Sequence, residues 1–205
     1  MNGRTSIHLN RKDGKTGKKA PVALDPSRSS RPSCSKGSQI GSVDALGIPA
    51  NYGVVRRLRR HAEAKRLVAI GRNPDGDIIK LSPLAAAAWQ QMHAAAARDG
   101  IVLLPLSGFR SVARQTRIIR RKLAAGEPID AILQLVAAPG YSEHHTGRAI
   151  DIGAPGDPPL AEHFAKTPAF RWLSRRAGEF KFHLSYPRGN RHRIAYEPWH
   201  WCYAK

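Results

Sequence analysis

Apolar residues recur at helical spacing in four stretches of this chain and alternate or cluster in six shorter ones, with Gly, Pro and Asn between them. Leu84, Ala88, Trp89, Met92 and Ala96 share one helical face, which Ser82 caps, Pro83 opens and Gly100 closes. A second helix starts at Ser111 and ends at Gly126, and a short third covers 127–138 from near Pro128. A fourth begins at Thr167 and Pro168, turns Phe170, Leu173 and Ala177 inward, and stops at Gly178. Residues 67–70 and 78–81 flank NPDGD and predict a hairpin. The run 101–106 predicts a buried strand whose Pro105 lies near its end, and 180–186 alternates as another. In 148–152 alternation puts Arg148, Ile150 and Ile152 on one face, and Ala149 and Asp151, followed by Gly153, on the other.

The final strand, 194–203, contains a conflict. Glu197 and His200 are three apart and would point to opposite faces of a regular strand, but Pro198 cannot donate to a ladder. An irregularity at Pro198 and Trp199, of the bulge kind, is therefore expected to bring Glu197 and His200 into one cleft.

Upstream the pattern weakens. The stretch 54–69, VVRRLRRHAEAKRLVA, allows a basic helix with a thin apolar stripe, or an exposed arm lying across the domain. Residues 1–40 are rich in Ser, Gly, Pro, Lys and Arg and predict a disordered basic tail. The organisation expected is thus a tail over 1–40, an arm with helix and hairpin over 41–80, and a folded domain over 81–205. The 205 residues hold 34 Lys and Arg against 15 Asp and Glu, a formal charge of +19. Residues 1–36 hold nine of these cations and two Asp, so about +12 stays with the rest of the chain. Such a balance favours anionic surroundings: nucleic acid, lipid or a charged envelope. No aromatic-interleaved basic platform supports a nucleic-acid reading. There is no apolar run long enough to span a membrane, and the N-terminus lacks the apolar core of a secretory signal. Cys34 and Cys202 form neither a disulfide framework nor a thiolate metal motif.

Candidate chemistry lies in GYSEHHTGRAIDIG, 140–153, and YEPWHW, 196–201. His144, Asp151 and His200 are three nitrogen or oxygen donors, and Glu197 is a carboxylate close to the last. A hydrolytic zinc site uses such a set: three protein ligands, a position left to water, and a base. Gly147 lets the loop fold tightly enough for His144 to approach Asp151. Only one of the adjacent His144 and His145 is expected at the ion. Arg110 falls just past a strand end and beside a helix start, where ligands are met, and Gln115 can face the same space one turn on. His93 and His183 read as surface or packed histidines.

With SGFRS, S-x-H-x-x-G-x-A-x-D (Ser142, His144, Gly147, Ala149, Asp151) and E-x-W-H (Glu197, Trp199, His200) in order, the chain resembles the VanY-type D-alanyl-D-alanine carboxypeptidases. These belong to the zinc superfamily that also holds lysostaphin-like peptidases and Hedgehog domains. The resemblance runs from about residue 81 to the C-terminus. It implies an α+β fold with a small, mainly antiparallel central sheet. It also implies one zinc ion on His144, Asp151 and His200, and Glu197 as general base. Arg110, Gln115 and Ser142 match positions that bind the substrate's terminal carboxylate or lie beside it, and Arg110 could also stabilise the oxyanion. His145 and Cys202 stand where the family often has other residues, and neither removes a ligand.

The function implied is D,D- or L,D-carboxypeptidase action on peptidoglycan stem peptides by a monomer held near an anionic envelope. Its substrate would place the protein at the cell envelope, in the periplasm or outside the cell, while the lack of a visible secretory signal keeps the cytoplasm as the alternative. A peptidoglycan endopeptidase on the same fold and a non-catalytic zinc-containing binding module are the alternatives, and the presence of Glu197 argues against the second.

Overall fold

A computed structural model describes residues 46–204. The expected tail over 1–40 lies outside the described residues, as does the start of the arm. The first described helix, α1 (Tyr52–Val55), is a single turn. The basic helix allowed over 54–69 does not continue, because Arg57 adopts φ +51° and Leu58 N–H folds back to Gly53 O at 2.8 Å. From there the chain runs as an extended strap. His61 N–H donates to Gly140 O (2.7 Å) and Ala64 N–H to His145 O (2.8 Å), bonds that a helix would have spent internally.

Strands β1 (Val68–Arg72) and β2 (Ile78–Leu81) form the expected antiparallel hairpin, with a bulge between Ala69 and Gly71. Asn73 closes the turn by accepting from Asp77 N–H at 2.8 Å. Helix α2 (Pro83–Arg98) begins and ends where the sequence predicts, with Gly100 at φ +71° just beyond. Two details differ. The Ser82 side chain makes no cap hydrogen bond, and its backbone N–H donates to Gly147 O instead. Leu84, expected on the apolar face, is 72% exposed, because the buried face runs through Ala85, Trp89, Met92 and Ala96.

A second sheet has the order β3-β4-β6-β5, all antiparallel: β3 (Leu104–Ser107), β4 (Ala149–Gly153), β6 (His200–Tyr203) and β5 (Phe182–Leu184). β3 is an edge strand and therefore tolerates Pro105. Both faces of β4 are buried, so its two-face pattern orients side chains without exposing any. Helices α3 (Val112–Ala124), α4 (Ile129–Leu135) and α5 (Pro168–Arg176) complete the fold. The Ser111 hydroxyl caps α3 by accepting from Arg114 N–H at 3.1 Å, and the Thr167 hydroxyl caps α5 by accepting from Phe170 N–H. β5 is shorter than predicted because Lys181 adopts φ +61° and Phe180 ends a 3-10 turn instead.

The main core gathers Trp89, Met92, Ile150, Ile152, Leu173 and Trp201 between α2, the sheet and α5. Fully burying each such side chain contributes roughly 1.5–3 kcal/mol. A second cluster, with Tyr52, Ile119, Ile132 and Leu133, packs α3 and α4 against the strap's origin. β4 and β6 are the inner strands of the sheet. Two of the candidate ligands, Asp151 and His200, sit on them.

Candidate metal centre

Asp151 on β4 and His200 on β6 are register partners in the antiparallel ladder. His144 is brought to them by a 3-10 turn over Glu143–Thr146, which ends at Gly147 with φ +64°. A side chain at 147 would start 2.9 Å from Ser82 N, so only glycine fits there. One donor atom from each of His144, Asp151 and His200 lies within 4.8 Å of the others, and all three residues are buried.

Each imidazole is oriented from behind. His144 Nδ1–H donates to Gly108 O at 2.7 Å, which leaves Nε2 facing Asp151 Oδ2 at 3.2 Å. Gly108 must come this close, and a Cβ there would meet Lys80 O at 2.5 Å. His200 Nε2–H donates to Glu143 Oε2 at 3.0 Å, while Nδ1 faces Asp151 Oδ1 at 3.1 Å and Glu197 Oε2 at 3.8 Å. Ser185 Oγ–H donates to the same Glu143 oxygen at 2.6 Å. The Tyr186 ring lies 4.9 Å from that of His200. Outer acceptors of this sort fix which ring nitrogen is free for a metal. Two imidazole nitrogens and one carboxylate, converging and buried, are the donor set zinc takes in a site with an open position.

The electrostatics follow from crowding. Burial pushes the Asp151 pKa up, yet the His144 and His200 rings beside it hold it well below the usual carboxylate range. Burial also works against the charged form of His200, but hydrogen bonds to Asp151 and Glu143 raise its pKa to about 10. Glu143 is likewise held low by His200 and Ser185 against its own burial. Glu197 goes the other way. Burial, reinforced by Asp151 and Glu143, pushes it up to about 7 even though His200 and Arg110 pull it down.

Glu197 reaches the site through a turn. His200 N–H donates to Glu197 O at 3.1 Å, and Ile152 N–H to Trp199 O at 2.9 Å, so the ladder with β4 resumes only at the end of the turn. The expected irregularity at Pro198 and Trp199 is present, as a tight turn rather than a bulge, and the last strand is four residues long.

Arg110 forms the opposite wall. Its guanidinium donates to Gln115 Oε1 (3.1 Å) and Ser107 Oγ (3.3 Å) and lies 3.7 Å from Asp151 Oδ2. Gln115 is itself tied to Ala137 O at 2.6 Å. His145 points away from the metal centre: Nδ1–H donates to Arg110 O at 2.6 Å, and Nε2 accepts from Gly140 N–H at 3.1 Å. The two adjacent histidines thus divide the work, one facing Asp151 and the other pinning the Arg110 backbone. Ser142 is buried in the wall of the same cleft, about 570 Å³, with Arg110, Gln115, Glu197 and Trp199.

All the residues singled out in the sequence, Arg110, Gln115, Ser142, His144, Asp151, Glu197 and His200, line this one cleft. Sequence reasoning missed Glu143, Ser185 and Tyr186. The signal for Glu143 was the rule that a buried ligating imidazole needs an acceptor for its other N–H.

Comparison with known proteins gives a consistent picture. Residues 78–205 match the family described as D-alanyl-D-alanine carboxypeptidase, VanY. The putative carboxypeptidase YodJ of Bacillus subtilis (strain 168) is 35% identical over 123 residues, 58% of this chain and 45% of YodJ. The chain spans about half the length of the first curated relatives it matches. Among solved structures, the LdcB LD-carboxypeptidase superposes with a TM-score of 0.63 at 31% identity, covering 70% of each chain. A zinc-bound mutant of VanY, a D,D-pentapeptidase from a VanB-type resistance cassette, gives 0.54 at 27% identity, covering 76% of this chain and 82% of that one.

Proposed function

The chain belongs to the VanY family of D-alanyl-D-alanine carboxypeptidases, and from that premise we propose that it is a zinc-dependent carboxypeptidase that removes the terminal D-alanine of peptidoglycan stem peptides. The reading rests on one observation: His144, Asp151 and His200 present donors within 4.8 Å of one another, beside Glu197 and opposite Arg110. His144 Nε2, a carboxylate oxygen of Asp151 and His200 Nδ1 would hold one zinc ion per chain. Zinc in such a set polarises a carbonyl and lowers the pKa of water toward about 7.

The chain's own groups supply the rest. Glu197, pushed up to about 7 by burial, has a proton affinity matched to neutral pH. It can take a proton from water and return it to the departing amine. Arg110 has a fixed charge and a planar fork, and its bonds to Gln115 and Ser107 set its direction before substrate enters. That fork suits the terminal carboxylate of the substrate or the oxyanion formed on attack. Losing a donor of this type costs roughly 3–4 kcal/mol in the barrier. Gln115 and Ser142 line the space where the terminal residue would lie.

The structural neighbours include one named as an LD-carboxypeptidase and one named as a D,D-pentapeptidase. The substrate class proposed is accordingly a stem peptide with a free C-terminal D-alanine, following either an L-centre or another D-alanine. Incubating zinc-loaded protein with purified muropeptides and reading the products by mass spectrometry tests this. Loss of a single alanine is expected, from the pentapeptide or the tetrapeptide according to specificity. Fragments cut deeper in the stem would replace this reading with an endopeptidase, and intact muropeptides would contradict it.

A further inference from the structure

We propose that the chain carries a second binding site, for a phosphate-bearing anion, in a pocket of about 600 Å³ formed by the strap over 59–66, the start of α2 and Arg148. None of its lining residues lines the metal cleft. Five of them, Arg59, Arg60, Lys65, Arg66 and Arg148, are cationic, and none is a carboxylate. Among the described residues none of the five enters an ion pair. Arg60 and Arg148 make long contacts to hydroxyls, at 3.4 Å to Tyr141 and Thr146 respectively, and the Arg60 guanidinium also lies over the Tyr141 ring, 5.6 Å from its centroid.

Unpaired cations along a solvated helix would be unremarkable, because a helix spreads them round its axis. Here the helix does not form. The strap is fastened by His61 N–H to Gly140 O and Ala64 N–H to His145 O, so its side chains stay gathered about one concavity despite their mutual repulsion. An anion seated among them would relieve that repulsion.

A second feature points to the same ligand. Ser82 and Pro83, at the head of the 16-residue α2, line this pocket. The Ser82 side chain makes no cap bond, and the first turn holds no acidic residue. Neither a side-chain cap nor an acid in the first turn therefore offsets the positive end of the helix. Four of the five cations are arginines, whose forked donors match phosphate oxygens. Much of the remaining wall is apolar, Pro83 and the 72% exposed Leu84 included. Phosphate chemistry with an apolar neighbour fits a lipid headgroup as well as a free phosphate.

The test uses the full-length zinc-loaded chain, a triple variant Arg59→Ala/Lys65→Ala/Arg66→Ala, and a control Arg98→Ala/Arg171→Ala/Arg175→Ala that removes equal charge elsewhere. Inorganic phosphate, added at constant ionic strength, is expected to shift backbone amide resonances of 59–66 and 82–84 in the parent and control, and not in the triple variant. Co-sedimentation with vesicles of phosphatidylcholine, with and without phosphatidylglycerol, identifies the source. If the pocket takes lipid phosphate, the triple variant loses roughly 100-fold in affinity for the anionic vesicles and the control far less. If phosphate binds the pocket and anionic vesicles are not preferred, the ligand is a free phosphate. The proposal is overturned if phosphate perturbs only the metal cleft, or if both variants weaken both probes equally.

Discussion

Glu143 illustrates what one side chain can decide. Its carboxylate accepts from His200 Nε2 at 3.0 Å, across 57 positions of sequence, and so leaves Nδ1 as the nitrogen that faces Asp151. Glu143→Gln is expected to weaken zinc binding about 10- to 100-fold, as loss of such outer partners does. Competition against a chelator of known affinity measures this, and unchanged affinity would remove Glu143 from the site. Glu197→Gln is expected to abolish turnover while zinc stays at one per chain, checked by metal analysis beside the muropeptide assay. His200 gives a pH signature. Its pKa is raised to about 10 in the folded, metal-free protein, so the folded chain holds that proton more tightly than the unfolded one. The resulting stability is present in full below about pH 6.5 and is lost as pH rises towards 10. Melting temperatures of chelated protein should fall over that range, and His200→Ala should flatten the fall. The candidate ligands were legible in the sequence because their types and order suit metal chemistry. Glu143 was not, because a carboxylate at the start of a short helical turn reads as surface charge until the fold shows what it reaches.

At the scale of elements, most of the boundaries were written in caps and breakers. Ser111, Thr167, Pro83 and Gly100 act where local rules place them. The helix allowed over 54–69 is lost to long-range backbone bonding. Residues 54–69 have helical periodicity, yet their N–H groups serve Gly140 and His145. The last strand is interrupted at Pro198 and Trp199 as its sequence predicts, but by a local turn from Glu197 to His200 rather than a bulge. Gly147 is the hinge-pin of this arrangement, since it combines φ +64° with a backbone neighbour 2.9 Å from any added Cβ. Gly147→Ala is expected to destabilise the protein by about 1–3 kcal/mol. For a chain of this size that lowers the melting temperature by several degrees. An unchanged melting temperature would show that the turn can relax at no cost.

The main apolar cluster packs on the four-stranded sheet and the second on α3 and α4, and the cleft draws Asp151 and His200 from the sheet and Gln115 from α3. Composition shows a basic chain but not where its charge gathers, because that depends on a strap whose path is set by tertiary bonds. The α+β class and the antiparallel sheet were implied by the family resemblance, whereas the strand order came only with the structure. The central claim is that distant parts of the chain close round a single metal ion. Anomalous diffraction at the zinc absorption edge, on crystals of zinc-loaded protein, tests it most directly. The account predicts one strong peak per chain, about 2.0–2.2 Å from His144 Nε2, an Asp151 oxygen and His200 Nδ1. A peak on other residues, or none at those three, would contradict it.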